Sequence, residues 1–210
     1  MAGLDPRDEI CRVGRSLFER GYTHGSTGNI SVRLEDGWIL TPTNVSLGEL
    51  TPERLSVLAS DGRHVSGDPP TKEAVLHQAV YAARPDAGAI IHLHSTHSVA
   101  VSCLCDIATD DVLPPLTAYY VMRVGRLPLV PFHPPGAASL AAAVGALAAS
   151  NRTMLLAHHG PIVAGTSLGE AMTAVEELEE TARLYLLLQG RNYRSLSADD
   201  VARLHEAFPS

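Results

Sequence analysis

Two histidines close an apolar run, Ala87-Gly88-Ala89-Ile90-Ile91-His92-Leu93-His94. Read as a buried strand over Ala87 to His94, it puts positions i and i+2 on one face, so both imidazoles can meet one ion. Neutral imidazole is a ligand for zinc and other late divalent metals. A second pair stands in Ala157-His158-His159-Gly160-Pro161, after a strand expected over Met154 to Ala157. The glycine permits a tight turn that aims an imidazole back over the sheet. Three histidines leave a coordination position open, which suits a catalytic ion better than a structural one. His97 is a competing donor, but it falls on the helix expected over Ser95 to Cys103, where a packing or supporting role is the simpler reading.

Three further runs carry chemistry. Thr71-Lys72-Glu73-Ala74 follows Gly67-Asp68-Pro69-Pro70 and opens a helix expected from Thr71 to Arg84. A helix N-terminus with a hydroxyl and a cation beside it suits a phosphate. Glu73 in that first turn is explained by the helix dipole alone, and beside a divalent metal it is also a natural general acid/base. Gly25-Ser26-Thr27-Gly28-Asn29 can form a backbone N–H concavity for an anion, an ordinary turn being the plain alternative, and Thr41-Pro42-Thr43 can add a hydroxyl to it. In Tyr119-Tyr120-Val121-Met122-Arg123, Arg123 could fork onto a carboxylate or phosphate and Tyr120 could deliver a proton; both residues fit a subunit contact equally well.

The elements that must position these residues follow from pattern. Asp5-Pro6 opens a helix carrying Ile10, Val13 and Leu17, closed at Gly21. Asn29 to Leu34 alternates as a strand, turns at Glu35-Asp36-Gly37 and returns over Trp38 to Thr43; Leu55 to Ala59 and Arg63 to Ser66 form another hairpin. Six prolines between Asp106 and Pro135 predict loops and edge strands there. Helices are expected over Ala138 to Ala149, Leu168 to Gln189 and Ala198 to Phe208, with Glu176, Glu177, Glu179 and Glu180 on a solvated face of the longest. This alternation predicts an α/β sandwich around a mixed sheet.

At 210 residues, 45% hydrophobic and 19% charged, the chain has the size of one domain and can bury a core without staples. A net charge of −7 argues against a general nucleic-acid or anionic-membrane binder. The polar start and the short apolar stretches predict a cytoplasmic protein with no leader and no membrane span. Cys11, Cys103 and Cys105, odd in number and without C-x-x-C spacing, read as reduced thiols.

In order and spacing, Gly28-Asn29-x-Ser31, Thr41-Pro42-Thr43, Glu73, His92-x-His94 and His159-Gly160 resemble the class II aldolase/adducin family, from about Cys11 to Gly190. The resemblance implies one domain over residues 1–210, a three-layer α/β/α sandwich around a mixed, largely antiparallel sheet, and homotetramers with active sites at subunit contacts. It further implies one zinc ion per subunit (or Mn2+ or Co2+) on His92, His94 and His159, with Glu73 as acid/base. Ser26, Asn29, Thr43 and Thr71 would bind a substrate phosphate.

Lys72 stands where the sugar-phosphate aldolases of the family usually carry a second serine, and Asn44 where they often carry glycine. Ile91 to Ser98, Tyr119 to Pro128, Thr71-Lys72-Glu73 and Glu177 to Ala182 look most like the family's 3-oxo-tetronate 4-phosphate decarboxylase branch. That branch implies loss of CO2 from a small phosphorylated sugar acid through a metal-stabilised enediolate, leaving dihydroxyacetone phosphate. Lys72 or Arg123 would orient the substrate carboxylate. An aldolase of the fuculose 1-phosphate type is the alternative; a dehydratase or pentulose-phosphate epimerase would keep the same motifs. A non-catalytic adducin-like domain predicts lost ligands, and here none is lost.

Overall fold

The structure, a computed structural model, describes residues 5–208. An eight-stranded sheet runs through the molecule in the order β4-β3-β2-β1-β5-β8-β7-β6. Its strands are β1 (Asn29–Leu34), β2 (Gly37–Leu40), β3 (Ser56–Ala59), β4 (His64–Ser66), β5 (Ala89–His92), β6 (Leu129–Val130), β7 (Thr153–Leu156) and β8 (Gly160–Gly165). Every neighbouring pair is antiparallel except β6 with β7. The expected mixed, largely antiparallel sheet is therefore what forms.

Among the described residues, seven α-helices accompany it: α1 (Pro6–Glu19), α2 (Ala74–Ala83), α3 (Thr96–Ser102), α4 (Ala118–Arg123), α5 (Ala138–Ala148), α6 (Leu168–Leu188) and α7 (Ala198–Ala207). On one face, α1, α3, α4 and α6 enclose a core around Ile30, Ile91, Val163 and Leu178. On the other, α2 and α5 cover Leu40, Ile90, Met154 and Ile162. Alternate residues of the central strands feed the two cores, as period-2 geometry requires. The result is three layers, α/β/α.

Four expectations need correction. Helix α2 starts at Ala74, not Thr71: the chain before it stays extended, with Pro70 bridged to Pro42 and Thr71 N–H donating to the Thr41 carbonyl. The proline-rich segment holds a helix after all, because residues 116–127 contain no proline and the Thr117 hydroxyl caps α4 by accepting from Tyr120 N–H. The strand that ends at His92 is shorter than expected, so His94 lies just beyond it.

The glutamates of α6 are not one solvated face. Glu179 is 6% exposed and accepts from His97 N–H, Ser98 N–H, the Ser98 hydroxyl and His97 Nδ1, all within 2.7–2.9 Å. It closes the N-terminus of α3, whose first N–H groups have no partner within the helix. Glu177 accepts from the Thr117 hydroxyl, and Glu176 pairs with Arg20.

Helix α2 is fastened to β1 at its far end. The Arg33 guanidinium donates to the carbonyls of Tyr81, Arg84 and Ala87 at 3.0, 3.0 and 2.6 Å. No described helix is long and apolar enough to cross a membrane. The three cysteines are free thiols.

Candidate metal centre and active site

His92 ends β5, where its register partners are Asn29 on β1 and Ile162 on β8. Paired residues of neighbouring strands share a face, so Asn29 and His92 both look toward α2. Beyond β5, His94 brings its ring to 5.0 Å from that of His92. His159 arrives from the β7–β8 turn. There His158 adopts a left-handed backbone (φ 57°) that leaves its own side chain exposed. Gly160 follows with φ 141°, and a Cβ there would stand 2.2 Å from the Leu93 carbonyl oxygen. Only glycine lets β8 pass that close, and the close passage sets His159 against His94.

The Nε2 atoms of His92 and His159 are 3.3 Å apart, and those of His159 and His94 are 3.1 Å apart. Glu73 completes the group, Oε1 lying 3.1 Å from His159 Nε2 and Oε2 3.4 Å from His92 Nε2. All four ligand atoms lie within 4.8 Å of one another. His92 Nδ1 donates to the Pro161 carbonyl at 2.8 Å, which leaves the Nε2 lone pair aimed into the cluster. Nitrogen lone pairs converging at these distances repel one another unless a cation lies between them. Around a tetrahedral zinc, with Zn–N near 2.0–2.1 Å, ligand atoms sit roughly 3.3–3.4 Å apart. The donor set therefore fits a divalent ion held by His92, His94 and His159, with Glu73 at the corner expected to be open.

The electrostatics agree. Burial pushes the Glu73 carboxyl up, but the imidazoles of His92 and His159 outweigh it and hold the group well below the usual carboxylate range. Burial, then the neighbouring His92 and His159, lowers His94 to about 3. A neutral imidazole beside an ionised carboxylate is the state that binds metal.

The remaining candidates divide. Thr43 and Thr71 belong to two paired segments, Thr43 N–H donating to the Pro69 carbonyl and Thr71 N–H to that of Thr41, so they stand diagonally across the Pro42–Pro70 bridge. Ser26 is exposed on the preceding loop, which Gly28 (φ 81°) packs within 3.0 Å of the His92 carbonyl by the same Cβ measure. Lys72 is exposed next to Glu73, with its backbone against Gly136. Asn29 is engaged within the protein, donating from Nδ2 to Glu73 Oε2 at 2.8 Å and accepting at Oδ1 from His77 at 2.5 Å.

Tyr120 and Arg123 do not join the cluster in their own chain. Both belong to α4. Arg123 shares a surface with Arg152, Gly169 and Glu170, beyond the Gly165 end of β8, while His159 adjoins the Gly160 end. Five strand residues span about 17 Å. Tyr120 is 2% exposed within the α1/α6 core, so its hydroxyl has no path to a substrate, and the expected proton delivery by this residue finds no support in the geometry. Tyr119 is the exposed member of the pair, with the Arg123 guanidinium 4.9 Å from its ring centre. His97 is held by Glu179, outside the cluster.

The sequence offers Ser31 only as part of the Gly28-Asn29-x-Ser31 motif and gives no role to His77 or Tyr81, yet all three continue inward from Asn29: His77 to the Ser31 hydroxyl at 2.7 Å, and Ser31 to the Tyr81 hydroxyl at 2.9 Å. The available signal was Glu73, His77 and Tyr81 spaced four apart at an otherwise apolar helix.

The chain is similar to several known proteins. The family described as class II aldolase and adducin N-terminal domain matches residues 8–186. The 3-oxo-tetronate 4-phosphate decarboxylase of Escherichia coli K12 is 49% identical over 199 residues, covering 94% of each chain. The L-fuculose phosphate aldolase of the same organism is 36% identical over 169 residues, 79% of this chain and 75% of its own. The crystal structure of YgbL from Escherichia coli superposes with a TM-score of 0.92 at 47% identity, over 94% of this chain and 96% of that one.

Proposed function

The chain belongs to the class II aldolase and adducin family, and from that membership we propose that it decarboxylates 3-oxo-tetronate 4-phosphate to dihydroxyacetone phosphate and CO2. The observation that carries the reading is the His92, His94, His159 and Glu73 cluster with the exposed Lys72 beside it, in a chain about half identical to decarboxylases of this name. We take the ion to be zinc, one per subunit, held by the three histidines; when bound it supplies Lewis acidity toward the substrate's ketone and hydroxyl oxygens.

The chain's own residues do the rest. Thr43 and Thr71, with Ser26 across the mouth, present hydroxyls to the phosphate. Lys72 orients the carboxylate. Because Lys72 is exposed, its attraction is screened, which lets the carboxylate leave as neutral CO2. As the bond between the carboxylate carbon and the hydroxyl-bearing carbon breaks, its electron pair passes toward the ketone oxygen and an enediolate forms. Glu73, drawn by the incoming substrate away from the imidazoles that keep it ionised, takes the proton of the substrate's hydroxyl as the enediolate forms. It hands that proton to the hydroxyl-bearing carbon, which becomes the hydroxymethyl group of the product once a solvent proton returns to the oxygen.

The exposed Tyr119 and Arg123 lie too far from their own cluster to take part there. They are offered to the site of an adjoining copy in a homotetramer working in the cytoplasm. The test is CO2 release from 3-oxo-tetronate 4-phosphate by the zinc-loaded protein, beside fuculose 1-phosphate cleavage. CO2 with dihydroxyacetone phosphate is expected; aldehyde release from the sugar phosphate alone would return the chain to the aldolases.

A further inference from the structure

Asn29 and Ser31 are two apart on β1 and face α2, where Glu73, His77 and Tyr81 are four apart. Two strand residues advance about 6.7 Å and four helix residues about 6 Å, so the two rows run nearly in step. Their side chains interlock as Glu73–Asn29–His77–Ser31–Tyr81, with heavy-atom separations of 2.8, 2.5, 2.7 and 2.9 Å. All five residues are at most 7% exposed.

Only one arrangement of protons satisfies every member. The Glu73 carboxylate can only accept, so Asn29 must present Nδ2 to it and Oδ1 to His77. Oδ1 can only accept, so His77 carries its proton on Nε2. A neutral ring then accepts at Nδ1 from the Ser31 hydroxyl, which in turn accepts from Tyr81. The ring is neutral because its complete burial, and next the nearby His92, lower it to about 3. A flipped Asn29 would set oxygen against oxygen at Glu73; the other His77 tautomer would set a lone pair against Oδ1. Each costs more in a dry interior than in water.

We propose that His77 is a positioning residue: through Asn29 it pins Glu73 Oε2, so that the carboxylate pivots at a fixed point and Oε1 alone swings between the histidine cluster and the substrate. This rests on the reading of Glu73 as the acid of the site. Asn29 Oδ1 fixes the His77 tautomer, and the Ser31 and Tyr81 hydroxyls, each able to donate or accept, complete the chain of bonds from the other side.

The test compares His77→Leu, which fills the space without hydrogen bonds, with His77→Gln, which can both donate to Asn29 and accept from Ser31. Zinc affinity is read by chelator competition, and kcat and KM are read separately. Outer contacts of this kind typically change affinity or activity 10- to 100-fold. His77→Leu is expected to weaken zinc binding about 10-fold and lower kcat 10- to 100-fold with KM within about 2-fold, and His77→Gln to restore most of both. Unchanged zinc affinity and kcat in His77→Leu, or no rescue by Gln, would overturn the proposal. If His77→Leu does not fold, Tyr81→Phe and Ser31→Ala serve: a several-fold loss of kcat at constant KM in both supports the relay, and wild-type kinetics in both removes it. The zinc measurement stands whichever reaction the protein performs, so failure of the relay is distinguishable from failure of the decarboxylase reading.

Discussion

Asn29 and His92 are direct register partners across β1 and β5, and each commits its side chain to the same few ångströms of space. One offers a ring nitrogen to the metal-binding cluster. The other grips the carboxylate that faces it. Because the pairing is a backbone property, ligand and carboxylate holder cannot drift apart without opening the centre of the sheet.

The ligand assignment predicts a sharp pattern of metal loss. His92→Ala and His159→Ala should emerge from dialysis nearly free of zinc, while His97→Ala and His158→Ala keep it, since neither side chain faces the cluster. Elemental analysis of the four purified variants is sufficient. A zinc-free His97→Ala protein would contradict the assignment.

Glu73→Gln keeps the shape of the side chain and removes its acid. Zinc should still load at saturating metal, with affinity lowered at least as much as in His77→Leu, and turnover should fall by roughly 10²–10⁴, the usual contribution of a positioned proton donor. Steady-state kinetics on the zinc-loaded variant reads this directly; full turnover would remove Glu73 from the proton transfer.

Glu179→Ala removes a buried carboxylate that closes the start of α3, immediately after His94 and Ser95. Two backbone N–H groups and the Ser98 hydroxyl lose their acceptor. The expected cost is about 2–3 kcal/mol of unfolding free energy, measured as a lower urea midpoint with unchanged slope. A wild-type midpoint would mean that water replaces the carboxylate without penalty.

His77 gives the metal-free protein a defined acid response. Its folded pKa of about 3 lies below the ordinary histidine value, so the unfolded chain binds the extra proton first. Stability from this group is complete above about pH 6.5 and falls by ~1.4 kcal/mol per pH unit on the way down toward about 3. Denaturation curves at pH 7, 6 and 5 in chelator should show a shallower decline for His77→Gln than for wild type. Parallel declines would show that His77 is not the group responsible.

Much of the site was legible because it obeys local rules. His92 follows from its place at the end of an apolar strand, His94 from the H-x-H spacing although the strand stops before it, and His159 from the glycine after it. The relay was not, because a histidine and a tyrosine on a buried helix face read as core residues until β1 is laid against them. Glu179 hid among four glutamates, although it continues the buried stripe of Val175, Leu178 and Ala182. The start of α2 was misplaced because the pairing of residues 69–71 with 41–43 joins segments that sequence alone does not connect. Tyr120 and Tyr119 differ only in which side of a two-turn helix they occupy, and an unrecognised helix has no sides.

The Arg33 clamp gives this arrangement an end stop. Arg33 is the next inward position on β1 after Ser31, but α2 has run out by then, so the guanidinium takes the terminal carbonyls in place of a third side-chain rung. Strand and helix behave like the two scales of a vernier, coinciding at two marks and locked at a third. Helix α2 therefore cannot slide by a fraction of a turn, and the carboxylate at its front is indexed by an arginine at its back. Loosening the chain at Arg33, several residues from any reacting atom, should register at Glu73 as a loss of alignment rather than a loss of fold.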